Sequence, residues 1–72
     1  MINITRKKRG YLVNEKLVPY HMETFRDSSG TYYQDRIYEP NEELKSLSAE
    51  EQVALLNYVK AWNEKLKKTT RV

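Results

Sequence analysis

Arg6-Lys7-Lys8-Arg9 is the densest run of charge in the chain, four cations in a row directly before Gly10. Bases belong naturally at helix ends and acids at helix starts, but no helical pattern surrounds this run. It reads either as a solvated arm or as an arm that contacts phosphates or an acidic protein surface. A second group of residues mixes rings with polar and cationic side chains at strand spacing: Phe25, Tyr32, Gln34, Arg36 and Tyr38, with His21 and Arg26 nearby. Rings exposed on a sheet stack on bases, and arginine reaches phosphates or base edges. A strand ribbon can also enter the major groove of DNA. The same residue types are enriched at protein interfaces, and they also stabilise sheets through cross-strand pairing alone. The candidate contact residues are Arg6, Lys7, Lys8, Arg9, Arg26, Tyr32, Gln34, Arg36 and Tyr38.

Catalytic chemistry has no comparable footing. His21 is the sole histidine, and no Ser or Cys is spaced to act as its nucleophile. One imidazole in a chain without cysteine makes no metal centre, disulfide or redox thiol. The acidic doublets Glu42-Glu43 and Glu50-Glu51 sit where helices begin, which accounts for them. Gly10 and Gly30 stand far apart, so there is no phosphate-cradling glycine loop. The expectation is a non-enzymatic chain with no catalytic residues, no metal and no cofactor.

The elements that must position these residues follow from pattern. Tyr11-Leu12-Val13 is a short β-rich run, and Asn14-Glu15-Lys16 follows as a turn. Leu17 to Arg26 is a second extended run, with Pro19 near its start as suits a strand beginning or an edge. Asp27-Ser28-Ser29-Gly30 is the clearest turn in the chain, and Thr31 to Tyr38 is a third strand. A hairpin therefore spans residues 18–38. Setting Arg26 opposite Thr31 pairs Phe25 with Tyr32, Glu23 with Gln34, His21 with Arg36 and Tyr20 with Ile37. A loop shorter by one residue would place Glu23 against Asp35, a like-charge pair.

Side-chain alternation then sorts two faces. Val18, Tyr20, Met22, Thr24, Tyr33 and Ile37, with Asp35 as the awkward member, form the more apolar face and should meet the core. Pro19, His21, Glu23, Phe25, Tyr32, Gln34, Arg36 and Tyr38 form an outer face. Ser48 with Glu51 fits a capping box. From there to about Lys68 no Gly or Pro intervenes, and Leu55, Val59, Trp62 and Leu66 recur at helical spacing. Asn41 can cap a short helical turn at about 41–46. The other apolar candidates for the core include Leu12, Val13, Leu44, Leu47, Val53 and Leu56.

The predicted fold is α+β, a three-stranded antiparallel meander under one C-terminal helix (βββα). It forms a single domain over 1–72: a basic arm at 1–9, the meander at 10–39 and the helix at 48–68. At 72 residues a chain buries only about 60% of the surface its unfolded form exposes, so self-association as a homo-oligomer is expected. Charge runs basic, acidic, basic along the chain. Glu39, Glu42, Glu43, Glu50 and Glu51 face only Lys45 in the middle, while Lys60, Lys65, Lys67, Lys68 and Arg71 face only Glu64 at the end, and the net formal charge is +3. No apolar run approaches the ~18 residues of a membrane span, so a soluble, cytoplasmic chain without a membrane partner is expected.

In architecture alone, over roughly residues 9–68, the strand-strand-strand-helix order behind a basic arm resembles the small sheet-reading DNA-binding domains of mobile-element integrases and plant AP2-type factors. The resemblance implies docking of the outer sheet face on DNA. Glu23, an acid on that face, departs from it. Two functions are therefore expected as alternatives. One is a nucleic-acid-binding module, a regulator of the phage or mobile-element type. The other is a small protein-binding inhibitor or modulator of a host enzyme or defence protein, acting through the aromatic face.

Overall fold

The structure, a computed structural model, describes residues 1–70, with side chains through Lys68. Arg71 lies outside the described residues. Five strands and two helices follow one another: β1 (Ile4–Arg6), β2 (Tyr11–Val13), β3 (Lys16–Val18), β4 (Tyr20–Asp27), β5 (Gly30–Ile37), α1 (Glu42–Lys45) and α2 (Ala49–Thr70). The class is α+β. A three-stranded antiparallel sheet of order β1-β2-β3 stands beside a separate β4-β5 hairpin and the C-terminal helix.

The three-stranded sheet uses strands other than those expected. Ile4–Arg6, which the sequence suggests is part of an arm, is β1, with Ile4 opposite Val13 and Arg6 opposite Tyr11. Ile2 and Ile4 supply the reason, because both pack against the core. The expected single run from Leu17 to Arg26 is two strands, β3 and β4, divided at Pro19, which can donate no ladder bond. Between β2 and β3 the two-residue turn puts Asn14 at φ 45° and Glu15 at φ 75°. Positive φ at both centres matches the twist of a tight hairpin, and Asn tolerates it well. Asn14 also exchanges bonds with Asn3, accepting from its N–H at 2.9 Å and donating to its carbonyl at 2.9 Å.

The core is small: Tyr11, Val13, Val18, Leu47, Leu55 and Val59. It lies between the three-stranded sheet and one side of α2. The helical stripe holds, with Leu55 and Val59 buried and Trp62 and Leu66 half-buried. Val53 and Leu56, expected inside, face outward. The helix starts as its cap dictates: the Glu51 N–H donates to Ser48 Oγ at 3.1 Å, and the Ser48 N–H donates to Glu51 Oε1 at 2.9 Å. Asn14 Nδ2 adds a donor to Glu51 at 3.2 Å, which ties the β2–β3 turn to the helix start. Asn41 caps α1 through the Leu44 N–H at 2.8 Å.

The β4-β5 register is the one charge argues for: Tyr20↔Ile37, His21↔Arg36, Glu23↔Gln34, Phe25↔Tyr32 and Arg26↔Thr31. The place of this hairpin is different from expectation. Helix α2 does not blanket a face. It runs along the outer edge of β5, where the Asn63 side-chain amide accepts from the Asp35 N–H at 2.8 Å and donates to the Asp35 carbonyl at 3.0 Å. One amide thus stands in for a neighbouring strand. Tyr20 and Ile37 do pack against the core, but Met22 and Tyr33 on the same face are 49% and 44% exposed. The apolar face is therefore core at one end and open at the other.

Candidate nucleic-acid interface

Asp35, the awkward member of its face, is 4% exposed and organises the covered end. Arg6 grips it from β1, with Nε at 2.6 Å and Nη2 at 3.0 Å from its two carboxylate oxygens. The Tyr11 hydroxyl donates to the same carboxylate. The Arg6 guanidinium also lies 4.9 Å from the ring centre of Tyr20 and 4.9 Å from that of Trp62. A planar cation between two rings, holding a carboxylate by a two-point fork, uses every property that separates arginine from lysine. The hydrogen bond to Asp35 holds the Arg6 pKa above its ordinary value. Burial, with the hydrogen bond to Asp35, pushes the Tyr11 hydroxyl well up, and burial raises Tyr20. Expected as a surface phosphate anchor, Arg6 is half-buried and its charge is paired with Asp35.

Its sequence neighbours fare differently. Lys7, Lys8 and Arg9 form the exposed β1–β2 turn, closed by the Lys7 N–H donating to the Gly10 carbonyl at 2.9 Å. The Tyr20 hydroxyl donates to the Lys7 carbonyl at 2.9 Å, so the turn is fastened to the face of the hairpin that carries Tyr20. Gly10 is required by close approach: a Cβ there would lie 2.6 Å from the Val18 carbonyl oxygen. Alternation places Met22, Thr24, Arg26, Thr31 and Tyr33 on that same face, beyond the covered end. Lys65 stands at its helix side, 6.0 Å from the Trp62 ring centre. Among the described residues, Lys7, Lys8, Arg9 and Arg26 make no ion pair.

The opposite face, expected to be the contact surface, is bound up in itself. Glu23 receives His21 Nε2 at 2.7 Å and Arg36 at 3.4 Å. The hydrogen bond from His21 is the main reason its carboxyl lies below the ordinary range. Tyr38 packs on His21 with ring centres 4.6 Å apart, and Phe25 stacks on Tyr32 at 5.8 Å. Lys67 sits over the Tyr32 ring at 4.9 Å and pairs with Asp27 at 3.7 Å. Gln34 is half-buried among them. Glu23 and Asp27 thus match Arg36 and Lys67 in charge, and Glu23, a departure in the sequence, is the hub of this face.

Of the candidate residues, the structure brings Lys7, Lys8, Arg9 and Arg26 to one side. It sets Tyr32, Gln34, Arg36 and Tyr38 on the other and withdraws Arg6 into the Asp35 cluster. Sequence reasoning missed Met22 and Tyr33 as exposed surface, because alternation assigns them to the core-facing side. Asp35 on that face was the signal that it could not be apolar throughout. Among the described residues no group of three or more His, Cys, Asp or Glu side chains could hold a metal ion. No helix among them is long and apolar enough to cross a membrane. No known family, curated protein or solved structure matches the chain.

Proposed function

We propose that this chain is a non-enzymatic nucleic-acid-binding module that works through the open end of the Tyr20 face rather than the face of Tyr32 and Arg36. One observation carries the reading: Lys7, Lys8, Arg9 and Arg26, four cations that make no ion pair among the described residues, border the same side of the hairpin, around exposed Met22 and Tyr33. From Tyr20 to Arg26 the strand covers roughly 20 Å at ~3.3 Å per residue. The turn supplies charge at one end, Arg26 at the other, and Tyr33 a ring between them on which a base can stack.

Fluorescence anisotropy with labelled single-stranded and duplex oligonucleotides tests this. Affinity should fall steeply with salt, with a slope near −0.7 to −0.9 per phosphate contacted. Neutralising Lys7, Lys8 and Arg9 together should flatten that slope by about two to three units, while Arg36→Gln should leave it unchanged. Absence of binding at low salt ends the proposal.

Exposed Met22 and Tyr33, diagonal neighbours across the hairpin, favour a second reading in which a protein partner docks on the same surface. That reading expects a stoichiometric complex that resists nuclease and is lost with Tyr33→Ala but retained when the turn is neutralised.

A further inference from the structure

The two edges of the β4-β5 hairpin are treated unequally. The Asp35 N–H and carbonyl point outward to Asn63, so Asp35 and its partner Met22 form a non-hydrogen-bonded pair. The alternation then fixes the rest of the ladder. On β4 the backbone groups of Met22, Thr24 and Arg26 point away from β5. Among the described residues no hydrogen bond reaches them, and apart from Tyr20, which meets Arg6 and Tyr11, no strand or helix other than β5 makes extensive contact with β4. Helix α2 covers the β5 edge, whereas among the described residues the β4 edge is left uncovered along an unbroken eight-residue strand. Proteins normally protect such an edge with proline, lysine, a bulge or a covering element. β4 contains no proline, no lysine and no bulge.

We propose that the β4 edge is an interface for a second copy of this chain, joined antiparallel about Thr24 into a continuous four-stranded sheet. The strand is complementary to itself in that register. Thr24 meets Thr24 of the other copy, Met22 meets the aliphatic stem of Arg26, Glu23 meets Phe25, and His21 meets Asp27, with no like charges opposed. Centring on Glu23 would set that carboxylate against its own copy. Centring on Met22 would draw in Pro19 and the link to β3. Centring on Phe25 would set Glu23 against Asp27, so among the registers that use strand residues alone the Thr24 register keeps like charges apart. Residues opposed across an antiparallel pair share a face, so the Tyr20 faces of both copies lie on one side. The pairing would place two basic turns around one sheet surface, but it does not depend on nucleic-acid binding and is measured without it.

Sedimentation equilibrium from micromolar to millimolar chain should show reversible doubling of mass. Because the chain has no cysteine, Thr24→Cys provides a clean probe. Cα atoms opposed in a hydrogen-bonded pair lie about 5.5 Å apart, within disulfide reach. Mild oxidation should therefore link T24C into a dimer at least tenfold faster than M22C. In this register the two Met22 positions are offset by about 13 Å along the strands, at ~3.3 Å per residue. Thr24→Pro removes only an outward N–H, so the β5 ladder survives. The variant should be monomeric with an unchanged far-ultraviolet spectrum. A monomeric wild type up to millimolar concentration, equal crosslinking of T24C and M22C, or a dimer that persists in folded T24P each overturns the proposal.

Discussion

Arg6 and the three cations after it are consecutive in the chain and belong to two different regions of the molecule. Arg6 is held between Tyr20 and Trp62 on buried Asp35. Lys7, Lys8 and Arg9 project from a turn with no carboxylate in reach among the described residues. The first region joins β1, β2, β4, β5 and α2 through one carboxylate, its fork, one hydroxyl and two rings. The second has only its backbone fastened, by Tyr20 and by the close approach of Gly10 to β3. Identical charge therefore does different work in each, and the difference is burial. In low dielectric an unpaired charge is costly, so the pair is obligatory. In water an exposed lysine needs no partner, so its charge stays available to a ligand.

The largest effect should come from breaking the buried region. Asp35→Ala leaves the Arg6 guanidinium and the Tyr11 hydroxyl without their acceptor and should cost about 3–5 kcal/mol, read by urea denaturation. The double variant Arg6→Met with Asp35→Leu should cost less than Asp35→Ala alone, because no buried charge is stranded. If the single and the double variants are equally damaging, the region works by packing rather than by charge pairing.

Gly10→Ala, between the two regions, should cost about 1–3 kcal/mol, since its new methyl meets the Val18 backbone and the turn must move. Ser48→Ala at the helix cap should cost about 1 kcal/mol. Neutralising Lys7, Lys8 and Arg9 to Gln should change stability by no more than about 0.5 kcal/mol while weakening nucleic-acid binding. A substantial loss of stability there would erase the distinction between the regions.

Acid provides a separate check. The Glu51 carboxyl lies below its ordinary value of 4.5, first because the Ser48 backbone N–H donates to it and next because of Asn14. A depressed pKa in the folded state gives stability that is fully present above the unfolded value and is lost as pH falls through the folded one. Thermal melts should therefore drop as pH falls below about 4.5. Glu51→Gln should show a shallower drop over the same range.

Much of the architecture is legible in the chain. The capping box at Ser48 and Glu51, the stripe Leu55/Val59/Trp62/Leu66, the Asn41 cap and the hairpin register are local, set by spacing of 3.6 or 2 and by turn chemistry. A register that avoids setting Glu23 against Asp35 needs only neighbouring residues to be deduced. The strand at Ile4–Arg6 was harder to see, because a three-residue strand beside a cationic run carries almost no periodicity.

What the sequence determined by itself is therefore the set of elements whose signals are short-range: the helix, its caps, the turns and the pairing of residues 20–37. The tertiary structure alone decided which of four adjacent cations is paired with a buried carboxylate, which hairpin face is open and which strand edge is covered. Those outcomes depend on Asp35 meeting Arg6 and Tyr11, 29 and 24 positions away, and Asn63, 28 positions away. Contacts across such separations leave no periodic trace in composition or spacing, since their free energy arises only when burial removes water from both partners at once.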